Sequence, residues 1–175
     1  MFTAILAIGT IILQLLIVIV LIALLTQASF LSKVAPYASL ALRIIFVGAI
    51  AGSLLYEYGF GYAPCLLCWY QRIAIFGIGI LAFTGNLWKS ALLRTQVLLF
   101  ASGGFLIAFL HNYIDIFPSG LDVCGATGPS CLMRYVHVFG YITIPMMSAT
   151  VLLAGILLPL IAKSYPQASI VETAK

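Results

Sequence analysis

Two cysteine pairs carry the chemistry that this sequence suggests. Cys65 and Cys68 form a Cys-x-x-Cys pattern in PCLLCWYQR, and Cys124 and Cys131 flank six residues in CGATGPSC. Such pairs can exchange electrons, bind zinc or form static disulfides. A disulfide across a Cys-x-x-Cys closes a small ring, and strained disulfides tend to be labile or catalytic. The first pair therefore favours redox chemistry, and the second spacing is looser than zinc sites commonly use.

Pro64 and Arg72 complete the first motif. Proline suits the start of a helix, so Cys65 should lie at a helix N-terminus, where the macrodipole favours a thiolate. Arg72 follows Cys68 by four residues, which puts both on one helix face. A guanidinium inside a membrane costs at least a few kcal/mol, so we expect Arg72 to stabilise a Cys68 thiolate or to donate to a ligand oxygen. The alternative is that its side chain only extends to the membrane surface.

The second pair lies in a segment rich in turn-forming residues, which include Gly125, Gly128 and Pro129. A disulfide in such a loop is open to attack by an incoming thiolate. Electrons could then pass from the loop pair to the helix pair by thiol–disulfide exchange. The alternative is that both pairs are static disulfides that brace the outer loops.

The elements that must position these residues are apolar. The chain of 175 residues is 64% hydrophobic and 7% charged, with a mean hydropathy of +1.22, whereas soluble domains are about a quarter charged. Five apolar runs approach the roughly 20 residues that cross a bilayer as helices. They cover residues 2–25, 40–58, 66–87, 92–114 and 138–161. The sequence therefore predicts an all-α integral membrane protein, with a four-helix core and an additional N-terminal helix.

Basic residues between the helices, or near the ends of the apolar runs, predict the orientation. Six fall on one side if the chain spans the membrane five times: Lys33, Arg43, Lys89, Arg94, Lys163 and Lys175. That side should be the cytoplasm, so the N-terminus lies outside, the C-terminus lies inside and both cysteine pairs face the outside, where disulfides are permitted. The first run lacks the positive start of a signal peptide, and we expect it to be a retained helix.

These motifs resemble those of the DsbB-type disulfide bond formation proteins, especially the short-loop, BdbC-like members. The resemblance rests on PCLLCWYQR, CGATGPSC and FGYITIP, and it covers residues 40–159. It implies a four-helix redox domain over 35–165 in a bacterial cytoplasmic (inner) membrane. Residues 1–34 would form the extra helix and a cytoplasmic loop, and 166–175 a cytoplasmic tail. The extra helix has no counterpart in the four-helix pattern; one role left open is to shield a quinone site.

The resemblance also implies a path for two electrons. A DsbA-like thioredoxin-fold protein outside the membrane attacks the loop disulfide and is bound covalently through Cys124. Cys131 is released towards Cys65, and Cys68 becomes the thiolate that contacts a quinone, either ubiquinone or menaquinone, which Arg72 binds. Because the loop between its cysteines is short, Cys124 and Cys131 could also exchange roles.

His111, in FLHNYIDIF, is a candidate for managing protons during quinone reduction, because a histidine titrates near neutral pH. The resemblance supports this role, and the alternative is an interfacial histidine bonded to a backbone carbonyl. Glu57 is expected to be solvated at the outer end of the second helix.

Two other protein classes and one other kind of site remain as alternatives. Vitamin K epoxide reductase-like quinone reductases also join a Cys-x-x-Cys to a loop pair, but there the loop pair precedes it in the chain. A membrane scaffold with two inert disulfides would not be an enzyme. A four-cysteine zinc site would make the chain a metal binder.

Overall fold

The computed structural model describes residues 2–26, 30–85, 89–117 and 129–164. Within them, five helices are long and apolar enough to cross a membrane, which confirms the predicted all-α membrane fold. The first is α1 (Phe2–Leu25). The second span, Phe30–Gly59, joins α2 (Phe30–Val34), a 3₁₀ turn (Ala35–Tyr37), α3 (Ala38–Leu54) and a π-helical turn (Leu55–Gly59). The others are α4 (Leu66–Thr84), α5 (Ala91–Ile116) and α6 (Ile144–Ser164).

The second span begins earlier than the sequence predicted. Pro36 lies in the 3₁₀ turn, because its missing N–H interrupts the α-helical ladder. Lys33 therefore lies in α2 and Arg43 in α3, rather than in a loop as predicted. Arg43 donates to the carbonyl of Ala82 at 2.8 Å, so a cation satisfies the C-terminal end of α4.

The last helix begins at Ile144 rather than at the predicted Val138. Val138 pairs instead with Ile142 as an isolated antiparallel bridge. The turn between them has Phe139 and Gly140 at φ of 53° and 78°. Hydropathy cannot reveal this turn, because all but one of its residues are apolar.

Close helix contacts hold the core of α3, α4, α5 and α6 together. Phe46, Ile78 and Leu152 are completely buried there. At Gly104 of α5, an added Cβ would lie 2.6 Å from the Cβ of Ala74 in α4. The two helices can approach this closely only because the residue is glycine.

Helix α1 packs on the outside of this core, against α6. Ile17 is buried with Ala154 and Leu157 of α6. Gln14 donates to the hydroxyl of Thr150 at 3.1 Å and accepts from the hydroxyl of Tyr141 at 2.9 Å. Polar groups that find partners in lipid fix a helix in one register, so α1 has a defined position beside the core.

Candidate functional site

The Cys-x-x-Cys motif forms the N-terminus of α4. Cys65 is the N-cap residue, with extended backbone at φ −75° and ψ 173°, and its sulfur accepts from the backbone N–H of Cys68 at 3.4 Å. The helix proper therefore begins at Leu66, where the predicted apolar run also begins. An N-cap side chain satisfies one of the free N–H groups of the first turn, and this holds the Cys65 sulfur at the N-terminal end of the helix.

Cys65 and Cys68 are free thiols whose sulfurs lie 2.9 Å apart. A disulfide is about 2.05 Å long, so a small movement would bring them to bonding distance. The thiol of Cys68 donates to the Cys65 sulfur and, with help from His111, lowers the pKa of Cys65 to about 4, although burial opposes this shift. Cys65 is therefore the readily ionised member of the pair.

Cys131 joins the same cluster from the segment before α6. It is disulfide-bonded and buried. The sulfurs of Cys65 and Cys131 and a ring nitrogen of His111 all lie within 4.8 Å of one another. Cys124 lies outside the described residues. The three groups are types that bind zinc, but a sulfur in a disulfide is not the thiolate that zinc requires, whereas sulfurs this close suit thiol–disulfide exchange.

His111 lies on α5 and is only 3% exposed. Its Nδ1 accepts from the amide of Gln71 at 3.1 Å, and its Nε2 lies 3.2 Å from the carbonyl oxygen of Cys131. With Nδ1 accepting, the neutral ring carries its proton on Nε2 and donates it to that carbonyl. The same Nε2 is 4.0 Å from the Cys65 sulfur. His111 therefore has the carbonyl hydrogen bond that the sequence analysis gave as the alternative, and it also lies next to Cys65 and Cys131.

Arg72 is buried one helical turn further into the membrane than Cys68. Its side chain is held by partners inside the bundle, so the alternative that it only extends to the membrane surface does not apply. Its Nε donates to the hydroxyl of Ser53 at 2.8 Å, and a terminal nitrogen donates to the Ser53 carbonyl at 2.7 Å. Its other terminal nitrogen pairs with Glu57, and its guanidinium lies 5.4 Å from the Trp69 ring centroid. The expectation that Glu57 is solvated is therefore wrong: its carboxylate neutralises Arg72. The π-helical turn carries Glu57, and such turns frequently mark functional sites.

One cavity of about 560 Å³ connects these groups. Its polar lining includes five of the six predicted site residues, namely Cys65, Cys68, Arg72, His111 and Cys131. The rest is mostly apolar side chains from α1, α3 and α6. At the polar end Arg134 pairs with Asp115, with Nε 2.5 Å from Oδ1. An amphipathic molecule with oxygens at one end would fit a cavity of this polarity.

Four polar residues at the site were missed or misjudged from the sequence. Ser53, Glu57 and Asp115 find their partners on other elements of the fold, and no sequence spacing reveals such pairs. Gln71 did leave a signal, because an amide three residues after Cys68 in an apolar helix requires a buried partner.

Comparison with known proteins agrees with the motifs. The family model described as "Disulfide bond formation protein DsbB" matches residues 35–162. The SPbeta prophage-derived disulfide bond formation protein B of Bacillus subtilis (strain 168) is 40% identical over 121 residues, which cover 68% of this chain and 81% of that protein. Disulfide bond formation protein C of the same organism is 34% identical over 118 residues, covering 64% and 80%.

A probable disulfide formation protein C 2 of Bacillus anthracis is 34% identical over 115 residues, covering 65% of this chain and 81% of that protein. No solved structure matches the chain. The family match includes both cysteine pairs and begins after α1. The resemblance seen in the sequence is therefore confirmed, and the chain belongs to the DsbB family of disulfide bond formation proteins.

Proposed function

We propose that the protein is a quinone-dependent disulfide oxidoreductase of the bacterial cytoplasmic membrane. It reoxidises a DsbA-like thioredoxin-fold dithiol protein outside the membrane and passes the electrons to ubiquinone or menaquinone. One observation carries the proposal: the sulfur of Cys131 and the Cys-x-x-Cys pair meet at the polar end of a cavity whose other walls are apolar. Family membership supports the disulfide chemistry, and the cavity supports a lipid-soluble acceptor.

Electrons enter through the loop pair. A thiolate of the reduced partner attacks Cys124 of the Cys124–Cys131 disulfide, which forms a mixed disulfide and releases the Cys131 thiolate. Cys131 attacks Cys65 of the oxidised helix pair, and Cys68 leaves as a thiolate. The second thiol of the partner then attacks the mixed disulfide, so the partner departs oxidised and Cys124 is free. Each step breaks one S–S bond and forms another, as thiol–disulfide exchange requires.

Cys124 next attacks Cys131 of the Cys65–Cys131 disulfide and releases Cys65. The loop pair is again oxidised, and the two electrons and two protons reside on the dithiol of Cys65 and Cys68. The disulfide at Cys131 and the free thiols of Cys65 and Cys68 support this distribution.

The residues present fit a quinone at the polar end of the cavity. A quinone bound there would be the oxidant: Cys65 and Cys68 would re-form their disulfide, and their two electrons and two protons would leave as the quinol. Arg72 lines the cavity with its guanidinium fixed by Ser53 and Glu57, and it would hold a carbonyl oxygen by a charge-assisted hydrogen bond. His111, with its proton on Nε2, would move a proton between the Cys65 side and that oxygen.

The proposed orientation puts the N-terminus and both cysteine pairs outside and the C-terminus in the cytoplasm. The cysteine cluster lies at the N-terminal end of α4, and Arg43 contacts the opposite end of that helix. Lys163 lies in the last turn of α6, which ends on the same side as α4 in a five-span chain. The bias of basic residues to this side supports a cytoplasmic location.

The function is tested by measuring quinone absorbance. The purified protein is mixed with a reduced thioredoxin-fold oxidant and with short-chain ubiquinone or menaquinone analogues. We expect partner-dependent loss of quinone that disappears in Cys68→Ser and persists in Ser102→Ala, a control on the exposed face of α5. A folded wild-type protein that reduces no quinone with several partners would refute the proposal and favour a scaffold with inert disulfides.

A further inference from the structure

The cavity extends well beyond the cysteines, along a helix that the family model leaves out. Seven residues of α1, from Ile5 to Leu16, contribute to its lining, whereas the family match begins at residue 35. At 1.5 Å per residue, this part of α1 runs for roughly 16 Å, which is about half of a bilayer's hydrocarbon thickness. The apolar wall is therefore much longer than a quinone ring requires.

The far part of this cavity is open to the side of the bundle. Ile5, Ile12 and Leu16 line the cavity, yet they are 57%, 53% and 52% exposed. Ile44 of α3 also lines it and is 64% exposed. Side chains that face both a cavity and the surroundings form the rim of an opening. The opening therefore lies between α1 and α3, at a depth where the surroundings are lipid.

Two glycines lie on either side of this opening. Gly9 of α1 and Gly48 of α3 both line the cavity, and a Cβ added to either would meet no atom within 4 Å. Nearer the cysteines the helices close together, since a Cβ on Gly52 would lie 3.5 Å from Leu6. Space thus remains between α1 and α3 at the level of Gly9 and Gly48, where both helices lack a side chain.

We propose that this gap is the lateral entrance for the quinone and that it holds the isoprenoid chain of the quinone while the ring is at Cys68. The inference rests on the proposed function. It makes α1 one wall of the quinone site, where it would favour quinones that carry an isoprenoid chain over those that do not. The reason is continuity: the gap leads from lipid to Arg72 and Cys68 within one cavity. An isoprenoid chain is apolar and unable to hydrogen-bond. The lining between Ile5 and Leu16 is mostly aliphatic, and its one hydroxyl, on Thr10, already donates to the Leu6 carbonyl.

The test fills the gap without disturbing the packing. Gly9→Leu and Gly48→Leu each place a side chain in the empty space, and leucine favours a helix more than glycine does. Gly103→Leu is the matched control, because Gly103 is an exposed glycine of α5 whose Cβ would also meet nothing within 4 Å. A second, independent filling variant guards against misfolding of the first.

Binding is read from fluorescence rather than from turnover. Trp69 lies beside Arg72, and a Trp88→Phe background leaves it as the one tryptophan. Quenching of Trp69 gives the Kd of a tail-less quinone and of the same quinone with two isoprene units, in both the benzoquinone and the naphthoquinone series. Quinone that co-purifies with each variant is extracted and quantified as a second readout.

We expect the tailed quinone to lose about tenfold in affinity relative to the tail-less one in both filling variants, since a leucine displaces about two methylene groups from contact. Gly103→Leu should keep the wild-type ratio. An unchanged ratio in both filling variants, with Cys68-dependent quinone reduction intact, would mean that the isoprenoid chain does not lie in the gap; the inference would fail and the proposed function would stand. Wild-type protein that neither binds nor reduces quinone would overturn the proposed function itself.

Discussion

Removing Arg72 should affect both stability and quinone binding, and the structure allows the two effects to be separated. Arg72→Met deletes the ion pair with Glu57 and the hydrogen bonds to Ser53. It leaves the Glu57 carboxylate, only 22% exposed, without its cation. Breaking a buried pair by removing one partner costs about 3–5 kcal/mol. We expect less here, about 2 kcal/mol, because Glu57 retains some access to solvent.

The double variant Arg72→Met with Glu57→Gln removes both charges. No unpaired ion then remains, so the free energy of unfolding should recover most of its loss. Quinone binding should not recover, because the charge-assisted hydrogen bond from Arg72 is still missing. Such bonds contribute about 1.5–3 kcal/mol, which corresponds to roughly a ten- to hundredfold rise in the KM for quinone.

The assay measures quinone reduction at saturating partner with varied quinone, and at saturating quinone with varied partner. Thermal unfolding in detergent gives the stability of each variant. Arg94→Met is a control, because Arg94 lies near the other end of the bundle, at the start of α5, and does not line the cavity. An equal rise in both KM values, or a double variant whose KM for quinone recovers along with its stability, would show that Arg72 is structural.

Three further predictions concern the cysteines and His111. Cys131→Ser should trap a covalent complex with the partner through Cys124; a complex trapped only by Cys124→Ser would reverse their roles. Because the pKa of Cys65 is lowered to about 4, its thiolate should persist down to about pH 5 and be lost as the pH falls through 4. The rate at which Cys65 is alkylated in the reduced protein should therefore change little between pH 6 and 8. A rise of that rate by about a hundredfold, as expected for an ordinary thiol, would contradict the geometry. Gln71→Leu removes the hydrogen bond that orients His111. It should lower the kcat of quinone reduction by about tenfold, which is less than the 10²–10⁴-fold loss when an acid–base group itself is removed, and it should not raise the KM for the partner. An unchanged kcat and pH profile would count against proton movement through His111.

The sequence predicted what depends on hydropathy and on helical periodicity. Five spans follow from apolar runs of sufficient length, and the common face of Cys68 and Arg72 follows from 3.6 residues per turn. The start of α6 was wrong because the turn at Phe139 and Gly140 is itself largely apolar. In a membrane chain, polarity does not mark turns as it does in a soluble protein.

The contacts between helices could not be predicted, and they determine the site. Glu57 was expected to be solvated, yet it pairs with Arg72 across two helices. The π-helical turn that carries Glu57 leaves no recognisable pattern in LYEYG. The distance between Cys65 and Cys131 likewise depends on how the segment before α6 folds back over α4 and α5. The ion pair and the approach of the two cysteines are tertiary contacts, which local sequence patterns do not encode.

Cys65 has the central position on the proposed path, and its environment gives that path a direction. Its sulfur lies 2.9 Å from that of Cys68 and within 4.8 Å of that of Cys131, so one atom can exchange with both. When Cys124 attacks the Cys65–Cys131 disulfide, Cys65 is the leaving group, and a thiol of low pKa leaves faster. The N-cap position, the Cys68 thiol and His111 all favour the Cys65 thiolate. The same contacts that lower its pKa therefore favour delivery of electrons to the helix pair, next to the apolar cavity, over their return to the loop.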